Sequence, residues 1–171
     1  MKSTKDILTE LGACAEAVKW AGRKTHKKAW GTCQRGDWLL WIAGKLNVDR
    51  KKLVLAACAC ARTALKYIPA GEDRPRIAIE TAEAWTRGEA TIDQVRTAAY
   101  AAYAYAAEGA AAYAAYAATA YAAYVYAAEG AADAAAYAAE SAARKDIADI
   151  VRKIIPFSDI KEAIAEYEGK A

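Results

Sequence analysis

"YAAYAYAAEGAAAYAAYAATAYAAYVYAAEGAADAAAYAAE", residues 100–140, contains 33 Ala or Tyr residues among its 41. An internal repeat runs through it. "YAAYAYAAEGAA" at 100–111 returns as "YAAYVYAAEGAA" at 121–132, an offset of 21 residues that Tyr116 and Tyr137 also obey. Three heptads make 21, so the repeat points to helix packed on helix rather than to strands. On that period Tyr100, Tyr103, Tyr121 and Tyr124 share one side, and Tyr105, Tyr116, Tyr126 and Tyr137 the other. Large residues on two faces with Ala between them suit a helix clasped by neighbours, because Ala permits close approach while each Tyr fills a gap and keeps its hydroxyl at a polar edge.

One straight helix of 41 residues would extend roughly 60 Å, whereas a compact chain of 171 residues has a diameter of about 40 Å. At least one break is therefore expected, with Gly109 and Gly130 marking the repeat interval. An ice-binding face would need regular Thr, and the run holds only Thr119. A membrane-surface helix would need Lys or Arg on its polar face, and the run has none. Glu108, Glu129, Asp133 and Glu140 interrupt it, so it does not form an uninterrupted apolar span. The run reads as a structural spine.

Outward from the run the chain stays helical, punctuated by Gly and Pro. Short helices are predicted over Thr4–Leu11 and Cys14–Trp20, separated near Gly12. Thr25 is placed to cap a helix ending at Gly31, and Asp37 to cap "WLLWIAGKL". Asn47 or Asp49 starts a helix that Pro69 and Gly71 end. Pro75 suits the first turn of the next, which Gly88 closes. "TIDQ", Thr91–Gln94, is a capping box opening the Ala/Tyr region, and Ser158 is placed to cap a last helix to about Tyr167. The fold class expected is all-α: a compact multi-helix bundle with an Ala/Tyr-rich helical spine. One domain is expected over 1–171, with Trp-rich short helices over 1–90, Ala/Tyr-rich helices over 91–155 and a terminal helix over 157–168.

Net charge is only +3, but it is unevenly spread. Residues 1–60 carry 12 Lys/Arg against 5 Asp/Glu, and residues 100–171 carry 6 against 10. The N-terminal "MKSTKDILTELG" lacks a signal-like apolar core, so a cytoplasmic protein with no membrane partner is expected. Four cysteines, Cys14, Cys33, Cys58 and Cys60, do not make a disulfide framework in such a chain and read as buried thiols. His26, the only histidine, lies in the basic "RKTHKKAW" and reads as solvated. Glu80 and Glu83 share a helix face, but no Glu-x-x-His accompanies them, and ion pairs Arg76–Glu80 and Glu83–Arg87 are expected instead. With no phosphate loop, nucleophile elbow or zinc motif, the chain is expected to be no enzyme and to hold no cofactor or metal.

Four of the five tryptophans, Trp20, Trp30, Trp38 and Trp41, fall within 22 residues. "CQRGDWLLWIAGKL", 33–46, sets Trp38 and Trp41 three apart on one face, with Arg35 and Asp37 flanking a glycine. Without a secretion signal the RGD triplet carries no integrin reading. Trp and Arg are the residue types that anchor protein interfaces.

This stretch, with "DRKKLVLAACACARTALKYIP" and "GEDRPRIAIETAEAWTRGEAT" and an Ala/Tyr-rich run after them, resembles the bacterial immunity proteins of the immunity-five-like type, antidotes of polymorphic toxin systems. The resemblance covers roughly residues 10–140. It implies an all-helical cytoplasmic inhibitor that binds a toxin domain without chemistry of its own, and it carries no site residues with it. From the residues themselves, the expected binding set is Arg35, Asp37, Trp38, Trp41, Arg74, Glu80, Glu83 and Trp85. A second candidate surface is the acidic set Glu108, Glu129, Asp133 and Glu140. The alternative is a nucleic-acid accessory protein using a basic face of Lys19, Arg23, Lys24, Lys27 and Lys28 and then Arg50, Lys51 and Lys52, with Trp20 and Trp30 for stacking. A third reading is self-association.

Overall fold

The computed structural model describes residues 2–68, 70–106 and 141–170. The predicted break in the Ala/Tyr run and most of the run itself lie outside the described residues. Those described form helices α1 (Thr4–Glu10), α2 (Ala15–Ala21), α3 (His26–Thr32), α4 (Gly36–Lys45), α5 (Arg50–Arg62), α6 (Arg74–Arg87), α7 (Ile92–Ala106), α8 (Ser141–Ile154) and α9 (Phe157–Lys170), with a 3-10 turn over Leu65–Tyr67. The fold is all-α, with no strand among the described residues.

Local side chains set most boundaries. Ser3 and Asp6 form a capping box at α1. Thr25 accepts from the Lys28 N–H at α3, and Asp49 from the Lys52 N–H at α5. The box at α7 closes as expected: Thr91 N–H donates to Gln94 at 2.7 Å and Gln94 N–H to Thr91 at 3.2 Å. Gly88 ends α6 in the left-handed region (φ 80°), which costs a residue without a Cβ nothing.

Other boundaries differ from the expectation. Asp37 is not a cap: α4 begins at Gly36 after an extended Arg35, and the Asp37 carboxylate turns back to the Arg35 side chain. Gly31 lies inside α3, since Cys33 N–H still reaches the Ala29 carbonyl. Ser158 lies inside α9, which starts one residue earlier at Phe157.

A single buried cluster joins α1 and α3–α9. α8 presents Ile147, Ala148 and Val151, with Ile155 just past its end, at a spacing of one, three and four residues, all buried, and packs on α4 and α5. Leu40 of α4 and Leu53 of α5 are almost wholly removed from water, and each contributes about 2 kcal/mol of apolar burial. On the far side α5 packs on α6 and α6 on α7. Small residues make the last contact: Ala78 and Ala82 of α6, and Val95, Ala99 and Ala102 of α7, are all buried. In the described start of the Ala/Tyr run it is thus alanine that is buried, while Tyr100 is 55% exposed.

Candidate partner-binding groove

α1, α2, α3, α4 and α9 leave an open hollow of about 430 Å³ between them. Its walls are mainly apolar. Ile7 and Leu8 come from α1, Trp30 from α3, Trp38 and Trp41 from α4, and Ile160 and Ile164 from α9. The spacing of Trp38 and Trp41 puts both on the groove wall, half-buried. Trp20 arrives from α2 and meets Trp38 edge to face, with ring centroids 5.9 Å apart and planes at 62°, within the favourable range for aromatic pairs.

Three residues after Cys33, which is buried, the chain turns into α4 with Arg35 and Asp37 on either side of Gly36. Arg35 Nε donates to Asp37 Oδ1 at 2.8 Å and its Nη2 to Oδ2 at 2.5 Å, a two-pronged pair. That hydrogen bond raises the guanidinium above its ordinary value, and partial burial opposes it. The guanidinium also lies 4.7 Å from the centre of the Trp38 ring. Arg35 is therefore fixed by a carboxylate on one side and an aromatic face on another, which removes much of the freedom a free arginine would lose on binding. Glu16 approaches Arg35 Nη1 at 3.9 Å, too far for a hydrogen bond. Lys24 sits over the Trp20 ring at 4.3 Å and donates to the Trp20 carbonyl. Lys45 lies 5.7 Å from the Trp41 ring.

The expected binding set divides. Arg35, Asp37, Trp38 and Trp41 line the groove. Arg74, Glu80, Glu83 and Trp85 belong to α6 and do not line it. Arg74 pairs with Glu72 and Arg76 with Glu80, the latter as the four-residue spacing implies. Glu83 does not pair with Arg87. It takes both prongs of Arg62 from α5, at 2.8 and 2.6 Å, because α5 packs against that face, and Arg87 turns to Glu89. Trp85 lies under Arg50 of α5, 5.5 Å from ring to guanidinium. The α6 residues thus tie α6 to α5 and its own flanks. Glu108, Glu129, Asp133 and Glu140 lie outside the described residues.

The stacking reading of the tryptophans meets a physical obstacle. Trp30 is only 5% exposed, so no base can lie on its ring. Trp20 is half-buried between Lys24 and Trp38. His26 is not solvated: it is half-buried, its Nδ1 2.9 Å from Thr4 Oγ1 and its Nε2 3.1 Å from the Lys2 carbonyl, which fastens α3 to the N-terminal residues.

One contributor escaped the sequence reading. Arg152 of α8 donates to the carbonyls of Trp30 at 3.1 Å and Cys33 at 2.6 Å, closing the end of α3 from 119 residues away. Nothing local marks it. Lys24, expected as part of a basic face, stands over Trp20 across the Gly22 turn that ends α2, not along a helical turn.

Among the described residues no cluster of His, Cys, Asp and Glu could hold a metal, and no helix is long and apolar enough to cross a membrane. The groove offers recognition chemistry: an apolar hollow, a fixed guanidinium and several flanking cations. Neither the curated proteins nor the solved structures contain a match to the chain. A family model described as "Imm-5 like putative immunity protein" matches residues 45–164, from the end of α4 to within α9. The match takes in the packed body of α5–α8 and the α9 wall of the groove, while Trp20, Arg35, Asp37, Trp38 and Trp41 precede it. With 120 of 171 residues matched, the chain belongs to the Imm-5 like immunity-protein family.

Proposed function

We propose that this protein neutralises a bacterial toxin by binding it directly in the cytoplasm and occluding its working surface. The observation that carries the reading is the Arg35–Asp37–Trp38–Trp20 constellation beside an open apolar hollow. Such an anchor is already ordered before the partner arrives, so little side-chain freedom is lost on docking. Tryptophan and arginine together are the residues on which interface energy concentrates. Occlusion needs shape and charge complementarity and no bond-making step by this chain.

The test begins with capture of protein partners from the source cells on the tagged chain, after nuclease treatment and a salt wash. The gene of each captured protein is then expressed alone and together with this chain. A partner that arrests growth alone and is harmless in co-expression supports the reading. Capture of partners that never arrest growth would refute it. Trp38→Ala should weaken rescue while leaving the far-ultraviolet helix signal in place.

A further inference from the structure

The groove has more donors than acceptors, and that imbalance says what kind of segment fits it. Asp37 lines the hollow and has both carboxylate oxygens engaged by Arg35. Arg35, by contrast, keeps Nη1 without a hydrogen bond; its nearest carboxylate there is Glu16 at 3.9 Å. The indole N–H of Trp30 is buried in the wall without an acceptor. Lys24 brings an ammonium to the Trp20 ring. Over residues 14–35 the chain carries six Lys/Arg against one carboxylate, Glu16. Lys19, Arg23, Lys27 and Lys28 are exposed and have no anionic partner among the described residues.

We infer that the groove receives a segment of the protein partner in which an apolar side chain is flanked by carboxylates. The apolar side chain enters the hollow between Trp38, Trp41 and Ile164. A carboxylate beside it meets Arg35 Nη1, and Lys24 adds positive charge at the Trp20 end of the Trp20–Trp38 pair. This rests on the binding reading above and names the chemistry of the surface that the partner must present. The complementarity is with carboxylates on a protein rather than phosphates on a nucleic acid, because the rings that would stack bases are buried or already covered. Lys24, Arg35, Trp38 and Trp41 precede the segment matched to the family, so this charge lies on a part of the chain outside that match.

The probe is a terminally blocked hexapeptide, Asp-Glu-Phe-Leu-Asp-Glu, titrated into the intact ¹⁵N-labelled protein. Its counterpart carries Lys at every acidic position, and a single-stranded hexanucleotide serves as the third ligand. The indole N–H signals of Trp20, Trp30 and Trp38 should shift with the acidic peptide and not with the basic one. Lys24→Glu, with its fold checked by circular dichroism, should weaken that binding by about tenfold, as expected for reversing one charge near the site. Equal response to both peptides, or none to either, overturns the inference, as does a stronger response to the oligonucleotide. If the peptide fails while the captured toxin is still neutralised, this inference falls and the immunity reading stands. If the peptide binds while no toxin is neutralised, the reverse holds.

Discussion

Gly36 shows how one residue can be fixed by a contact that its neighbours do not announce. A methyl group there would lie 2.2 Å from Ile147 Cγ2 and 3.0 Å from the Ala148 backbone nitrogen. Backbone cannot step aside, so α4 and α8 approach this closely only over a glycine. Gly36→Ala should destabilise the protein by about 3 kcal/mol, read from urea unfolding midpoints. Gly31 is the control: it lies in α3 with nothing within 4 Å of an added methyl. Gly31→Ala should stabilise by roughly 0.5 kcal/mol. The RGD triplet thus has a packing reason for its glycine and an ion-pair reason for its Arg and Asp. The thiols divide just as sharply. Cys14 is exposed, while burial pushes the Cys60 thiol up to about 12 and raises Cys33 and Cys58 as well. Thiolate is the reacting form. Mass spectrometry after iodoacetamide at pH 8 should find one modified cysteine in the native protein and four after unfolding.

At the scale of the element, what could be foreseen follows from the range of the interaction. Thr25, Asp49 and the Thr91–Gln94 box act within three residues of themselves, and their caps stand as the sequence implies. The apolar stripe of α8 is likewise written in a local period. Asp37 misled because a capping residue and an ion-pair residue look alike until the direction of the preceding Arg35 is known. Glu83 misled because its partner, Arg62, lies on another helix. The groove was half legible: its α4 residues stood out as a Trp/Arg cluster, but its α9 wall and the burial of Trp30 depend on packing. Arg152 is the extreme case. Three residues short of Ile155, it reaches across to the last carbonyls of α3, where positive charge also suits the helix end. Arg152→Ala should cost about 2 kcal/mol, the range for hydrogen bonds from a charged donor. Hydrogen exchange should quicken first in α3, at Ala29–Cys33. Uniform acceleration across all helices would mean that Arg152 does not act on α3.

For the whole molecule, the consequential contact joins the first and last helices, both of which line the groove. Lys2 Nζ pairs with Glu10 at 2.7 Å, and the Tyr167 hydroxyl donates to the same carboxylate at 3.2 Å. The Lys2 backbone N–H donates to Glu168. Thr4, Ile7 and Leu8 of α1 and Ile160 and Ile164 of α9 line the hollow, so this clasp bears on its width. The hydrogen bond from Lys2 holds the Glu10 carboxyl below its ordinary value, and Glu10 in turn raises Lys2. A carboxyl with a depressed folded pKa lends stability above its unfolded pKa and loses it as pH falls through the folded one. A lysine with a raised folded pKa lends stability below its unfolded pKa and loses it as pH rises through the folded one. The clasp should therefore hold across neutral pH, loosen in acid below the usual glutamate range, and loosen again in alkali above the usual lysine range. Both groups are solvent-accessible, so salt should narrow that window. The check is the ring signal of Tyr167, followed by NMR from neutral pH downward. It should move as Glu10 takes up its proton, and Glu10→Gln should remove that step while leaving the helical signal unchanged. A Tyr167 signal that ignores both acid and the substitution would show that the Glu10 carboxylate does not hold the terminal helices together.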